Sequence, residues 1–163
     1  MEEYLEGWSD FNVAMMGATA ALAGLVIVAA SVNIAEVAKA PALASRLAGG
    51  IAGLVLALSG SAVGLVPQVS AVAYGSAMAV LAVGAGFLQG QAARRIYENP
   101  HPGNQMKLGK SAVGFVAPSA YLVGAALLVT GSSQGVAWFA AGAVVAIITA
   151  LVISWIALVE VLR

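Results

Sequence analysis

The sequence predicts an all-α membrane protein, a bundle of five transmembrane helices forming a single domain over all 163 residues. Apolar side chains make up 61% of the chain and charged side chains 9%, whereas a soluble domain carries about 25% charged residues. The apolar residues fall into five uncharged runs, each near the length of about 20 residues that a helix needs to cross a bilayer. These runs are too long for barrel strands and lack their strict alternation.

Turn residues separate the runs and set the order of the five elements. The first run ends before Lys39-Ala40-Pro41, Pro67-Gln68 separates the second from the third, and residues 131–135 separate the fourth from the fifth. The only long connection is the cytoplasmic loop predicted over residues 94–110, which is too polar to enter lipid. The predicted spans cover residues 11–35, 47–66, 71–93, 111–130 and 136–159.

The basic residues fix the orientation of this predicted bundle. Short loops rich in Lys and Arg are retained in the cytoplasm. With five spans, all seven basic residues fall on one side, which predicts an external N-terminus and a cytoplasmic C-terminus. They are Lys39, Arg46, Arg94, Arg95, Lys107, Lys110 and Arg163.

The first span carries two ordered stripes. Its polar stripe recurs every seven residues, which places its members on one face of a helix. A second face is smooth, because its residues are small. Since neither stripe suits lipid, this helix is expected to be central in the bundle. The polar stripe consists of Asn12, Thr19, Val26 and Asn33, with Glu36 continuing it; the smooth stripe consists of Gly17, Ala20, Gly24 and Ser31.

The polar stripe has two interpretations. It could line a pore, with the acids Glu2, Glu3, Glu6 and Asp10 concentrating cations at an outer mouth. Alternatively, its amides and hydroxyl bond neighbouring helices, and the terminal acids are a solvated tail.

Small residues elsewhere indicate tight helix packing. Three pairs have the small-xxx-small spacing, and each is expected to pack helices within the chain, with self-association between copies as the alternative. Gln89 and Gln91 either bond across the bundle or reach the membrane interface, and the interface is favoured. The three pairs are Gly49 with Gly53, Gly60 with Gly64, and Gly86 with Gly90.

The predicted cytoplasmic loop concentrates positive charge. Its basic residues could hold anionic lipid headgroups, or serve only to set the topology. They are Arg94, Arg95, Lys107 and Lys110.

The sequence lacks the side chains that several kinds of function require. The chain has no Cys and one His, His101, which stands between two prolines, so metal sites, other cofactors and an enzymatic function are not expected. No ionisable group lies in the middle of a span, which disfavours coupled transport; the nearest, Glu160, is close to the C-terminus. Seven acids balance seven basic residues, so nucleic acid is not an expected partner.

The N-terminal part of the chain carries one resemblance. Gly7-Trp8-Ser9-Asp10-Phe11 is followed by a helix rich in Ala and Gly that ends in Ala30-Ser31-Val32-Asn33-Ile34. This segment resembles the opening of a group of small, uncharacterised bacterial multi-pass membrane proteins. The resemblance implies the bacterial inner membrane as the location, and brings no activity, cofactor or substrate.

Two functions fit these observations. The first is a homo-oligomeric passive channel or pore for a small ion or solute, lined partly by the first helix. The alternative is a non-catalytic accessory or assembly subunit, which uses its smooth helix faces to dock on a larger membrane complex. Both have the lipid bilayer as their surroundings.

Overall fold

A computed structural model of the chain describes the backbone of residues 5–98 and 107–161, with side chains except at positions 96, 98, 107–110 and 156–161. This described part is helical and contains no strand. Five of the helices, all but the short α2, are long and apolar enough to cross a membrane, which confirms the predicted all-α fold. The helices are α1 (Ser9–Val32), α2 (Ile34–Lys39), α3 (Pro41–Gly64), α4 (Ala71–Glu98), α5 (Lys107–Val129) and α6 (Gly135–Val161).

The helix ends differ from the predicted spans where charged residues occur. The second span was expected to start at residue 47, after Arg46, yet α3 begins at Pro41. The ends of the predicted loop 94–110 are helical too, since α4 continues to Glu98 and α5 starts at Lys107. A charged residue forms the same backbone hydrogen bonds in a helix as an apolar one, and a long charged side chain can extend toward water. A helix can therefore continue beyond its uncharged stretch.

Turn chemistry explains three of the helix boundaries. Asn33 interrupts the predicted first span, and its side-chain Nδ2 donates to Ala29 O at 3.0 Å. Pro41 takes the first position of α3, where the missing N–H costs nothing. Between α5 and α6, Gly131 has a φ of +88°, and Ser132 N donates to Leu127 O at 2.8 Å, as in a Schellman motif.

The helices α3, α4, α5 and α6 pack in a ring, each against the next, with α6 closing on α3. Helix α1 lies outside this ring along α3 and contacts α6 only slightly. In its most apolar stretch 17% of the residues are buried, against 56% of the residues in the corresponding stretch of α3. The expectation that the first span is central is therefore wrong within the chain, because α3 holds that position.

Glycines allow α3 to be central. A Cβ atom at Gly60 would lie 2.9 Å from Tyr121 Cε1, and one at Gly64 would lie 3.0 Å from Tyr74 Oη. Both of the small-xxx-small pairs in α3 are buried, which confirms their predicted role in packing. The pair in α4 differs, because no atom of another described helix lies within 4 Å of a Cβ built at Gly86 or Gly90, so the described residues do not show the packing predicted for that pair.

Candidate functional site

The polar stripe of α1 faces α3, inside the protein. Asn12 is 5% exposed and Thr19 is 0% exposed, while Asn33 is half-buried near the end of the helix. Between them, Val26 joins an apolar cluster with Leu43 and other side chains of α3. Within one chain, Asn12 and Thr19 are thus not on a surface that a solute can reach.

Two members of the stripe bond to their own helix. Thr19 Oγ1 donates to Met15 O at 2.6 Å and lies 3.2 Å from Met16 O, and Asn33 Nδ2 donates to Ala29 O. A polar side chain that returns its donor to a local carbonyl needs no partner on another helix. The hydrogen bonds that Thr19 Oγ1 and Asn33 Nδ2 donate thus stay local, and they do not link α1 to another helix.

Asn12 is buried beside α3, and the amide nitrogen of its side chain donates no hydrogen bond to a described residue. A Cβ atom at Gly64 would lie 2.7 Å from Asn12 Nδ2, so the amide packs directly on the glycine. Nearby, Tyr74 Oη donates to Gly60 O at 2.7 Å. Asn12 Nδ2 finds no hydrogen-bond acceptor in the described part of the chain. A buried donor left in this state costs about 1–3 kcal/mol.

The charged members of the predicted site are exposed where they are described. Glu36 belongs to α2, and its carboxylate accepts from Lys39 Nζ at 2.8 Å in an exposed ion pair. Glu6 and Asp10 are also exposed. Glu2 and Glu3 lie outside the described residues, so the predicted outer acidic mouth is described only at Glu6 and Asp10.

The smooth stripe is the outward face of α1. Gly17, Ala20, Gly24 and Ser31 are all exposed, and no atom from elsewhere in the described chain lies within 4 Å of a Cβ built at either glycine. Between Asp10 and Ser31, every exposed residue of α1 is Gly, Ala, Val, Leu or Ile. This face, the α1 smooth face, is apolar and uncharged between Asp10 and Ser31, and the rest of the described chain does not cover it.

Gln89 links three helices in the interior. Its Nε2 donates to Gly49 O of α3 at 2.9 Å, and a Cβ built at Gly114 of α5 would collide with Gln89 Oε1. The side chain is therefore held in a slot between two glycines. The interface position favoured for Gln89 is wrong, whereas Gln91, two residues later, is exposed. The signal for this slot was the pair of glycines, which only the packing of α3 and α5 brings together.

The predicted basic site is described at only two of its four side chains. Arg94 and Arg95 are exposed near the end of α4, and the side chains of Lys107 and Lys110 lie outside the described set. His101 is also outside it, as is the side chain of Glu160. In the part of the chain that is described, no three His, Cys, Asp or Glu side chains lie close enough to hold a metal ion.

Comparisons of the chain with models of protein families, with curated proteins and with solved structures found no match. Two surfaces of the described molecule are distinctive, the α1 smooth face and the basic end of α4.

Proposed function

We propose that this chain is a non-catalytic accessory or assembly subunit of a larger complex in the bacterial inner membrane. It docks through the α1 smooth face on a helix of another membrane protein. The observation that carries this proposal is that the helix least covered by the rest of the chain exposes the small residues Gly17, Ala20 and Gly24.

The physical argument comes from how helices associate in lipid. No hydrophobic force drives two helices together there, so association depends on close packing, which small residues permit. A helix that only faced lipid would gain nothing from Gly in its interior, where each Gly costs about 0.5–1 kcal/mol relative to Ala. Contacts among the described residues do not explain Gly17 and Gly24, and a docked helix would explain both.

The passive channel stays a prediction with less support. A pore lined by Asn12 and Thr19 requires α1 to leave α3, because both side chains are buried against it. If copies assembled around the α1 smooth face instead, the lining between Asp10 and Ser31 would be entirely apolar. Such a lining offers no polar groups to replace the water around an ion.

Cross-linking from α1 tests the docking proposal. Because the chain has no Cys, Val28→Cys introduces a unique thiol at an exposed position beside the smooth face. A benzophenone attached there is photoactivated in membranes of the source bacterium. We expect one adduct with a second membrane protein, and a yield that falls about tenfold on Gly24→Leu, equivalent to about 1.4 kcal/mol.

The matched control is Gly84→Leu in α4. Gly84 is exposed, and as at Gly24 no atom from elsewhere in the described chain lies within 4 Å of a built Cβ, so both substitutions add the same side chain without a clash among the described residues. Thermal stability equal to that of the parent chain in both variants would show that folding is unaffected. The proposal is overturned if Gly84→Leu lowers the yield as much as Gly24→Leu does, or if the only adducts are with lipid or with a second copy of this chain.

A further inference from the structure

An open cavity of about 420 Å³ lies on the outward side of α4, near the C-terminal end of the helix. The side chains that α4 buries lie on its opposite side, so this cavity faces away from the bundle. The lining residues stack over about two turns, because residues three or four apart share a face of a helix. They are Phe87, Gly90, Gln91, Arg94 and Arg95.

The described charged side chains that border this cavity are both positive. Arg94 and Arg95 are both exposed, and neither forms an ion pair with a described carboxylate. Gln91 adds an amide that can donate further hydrogen bonds. A guanidinium group binds phosphate oxygens through two parallel N–H···O hydrogen bonds. The basic side of the cavity therefore suits an anion with several oxygen atoms.

An apolar stripe leads from the cavity toward the middle of α4. Val80, Val83 and Phe87 are 72%, 62% and 65% exposed, and they are three or four residues apart. Gly90 leaves a notch between Phe87 and Arg94, because no atom from elsewhere in the described chain lies within 4 Å of a Cβ built there. A free phosphate would use only the guanidinium groups, whereas a phospholipid would also cover the stripe.

We propose that this cavity binds the phosphate headgroup of an anionic membrane phospholipid, with an acyl chain lying along Val80, Val83 and Phe87. The inference rests on insertion in a membrane and is independent of docking through α1. It also goes beyond a role of Arg94 and Arg95 in topology, because charge alone sets topology and requires neither a cavity nor an apolar stripe beside it.

Native mass spectrometry of the full chain in a mild detergent tests the site. The probes are phosphatidylglycerol and phosphatidylcholine with identical acyl chains, and inorganic phosphate as a competitor. We expect one phosphatidylglycerol to bind about tenfold more tightly than phosphatidylcholine, since each basic residue near a membrane surface contributes measurably to holding anionic lipid. The double variant Arg94→Gln/Arg95→Gln should lose this preference.

The control is Lys39→Gln/Arg46→Gln, which removes the same net charge and leaves the cavity lining unchanged. It should keep the preference for phosphatidylglycerol. The proposed site would be overturned if both double variants lost the preference for phosphatidylglycerol equally, or if the parent chain bound the two lipids equally. Displacement of phosphatidylglycerol by inorganic phosphate at the same concentration would overturn the lipid assignment. Failure of docking through α1 would appear only in the cross-linking yield.

Discussion

Asn12 and Asn33 are two amides of the same stripe, but only one of them is bonded. Asn33 Nδ2 donates to Ala29 O, whereas the buried Nδ2 of Asn12 has no acceptor among the described residues. Leu has nearly the shape of Asn and carries no donor. We expect Asn12→Leu to raise the free energy of unfolding by about 1 kcal/mol, because it removes a buried donor that costs about 1–3 kcal/mol. Reversible unfolding in mixed micelles, followed by circular dichroism, measures this.

The same substitution at Asn33 is the control. Asn33→Leu removes a bonded amide, so it should lower the free energy of unfolding by about 0.5–1.5 kcal/mol. The result we expect is that the free energy of unfolding rises in Asn12→Leu and falls in Asn33→Leu. A loss of stability in Asn12→Leu would mean that the amide of Asn12 has a partner, and would return this residue to the candidates for a polar function.

Gln89 shows the limit of sequence reasoning at the level of single residues. The cost of an amide within a span was visible in the sequence, and so were the glycines at 49 and 114. The contact of Gln89 with both glycines could not be predicted, because it depends on the rotation of α3 and α5 about their axes. Periodicity shows which residues of one helix share a face, but it does not show which face of the next helix lies opposite.

The placement of α1 shows the same limit at the level of helices. Length and apolar composition predicted five long helices, because backbone groups in lipid must pair within their own segment. Two ordered stripes on one helix were then taken to mean a central position. The more informative signal was the number of glycines in α3, since Gly49, Gly50, Gly53, Gly60 and Gly64 are all buried. Close approach by several neighbours requires small residues on more than one face.

The contact between α5 and α6 depends on glycine at two positions. A Cβ at Gly124 would lie 2.6 Å from Gly135 O and 2.7 Å from Phe139 Cδ1, and one at Gly135 would collide with Gly124 O. Because the obstacle is backbone, the two helices must separate to admit a methyl group. We expect Gly124→Ala to lower the free energy of unfolding by about 3 kcal/mol, the upper part of the range for overpacking. Denaturation in mixed micelles measures the change.

Gly84→Ala is the control for this contact. It also places Ala inside a helix, but at an exposed position with open space around its Cβ. It should raise stability by about 0.5–1 kcal/mol, the usual gain of Ala over Gly in a helix. If the two variants were equally stable, α5 and α6 would not be in backbone contact through these glycines.

For the whole molecule, the described basic residues and the acids near the start of α1 lie at opposite ends of the bundle, although Glu36 stands at the basic end in its ion pair with Lys39. Lys39, Arg46, Arg94 and Arg95 lie where α2 meets α3 and where α4 ends, while Glu6 and Asp10 lie where α1 begins. The turn between α5 and α6, residues 130–134, carries no charge. Neighbouring helices joined by short turns run in opposite directions, so this turn belongs to the end with Glu6 and Asp10. By the positive-inside rule, the prediction is that the basic end faces the cytoplasm.

Labelling of single cysteines tests this orientation. Gln134 and Lys39 are exposed at the two ends, and the parent chain has no Cys, so Gln134→Cys and Lys39→Cys each give one reactive thiol on an unreactive background. A membrane-impermeant maleimide added to intact bacterial spheroplasts should label Gln134→Cys, and should label Lys39→Cys only after permeabilisation. Both variants should label fully in denaturant, which controls for thiol reactivity. The reverse pattern would place the basic end outside, and the cavity beside Arg94 and Arg95 would then face the lipid headgroups of the outer leaflet instead of the cytoplasmic one.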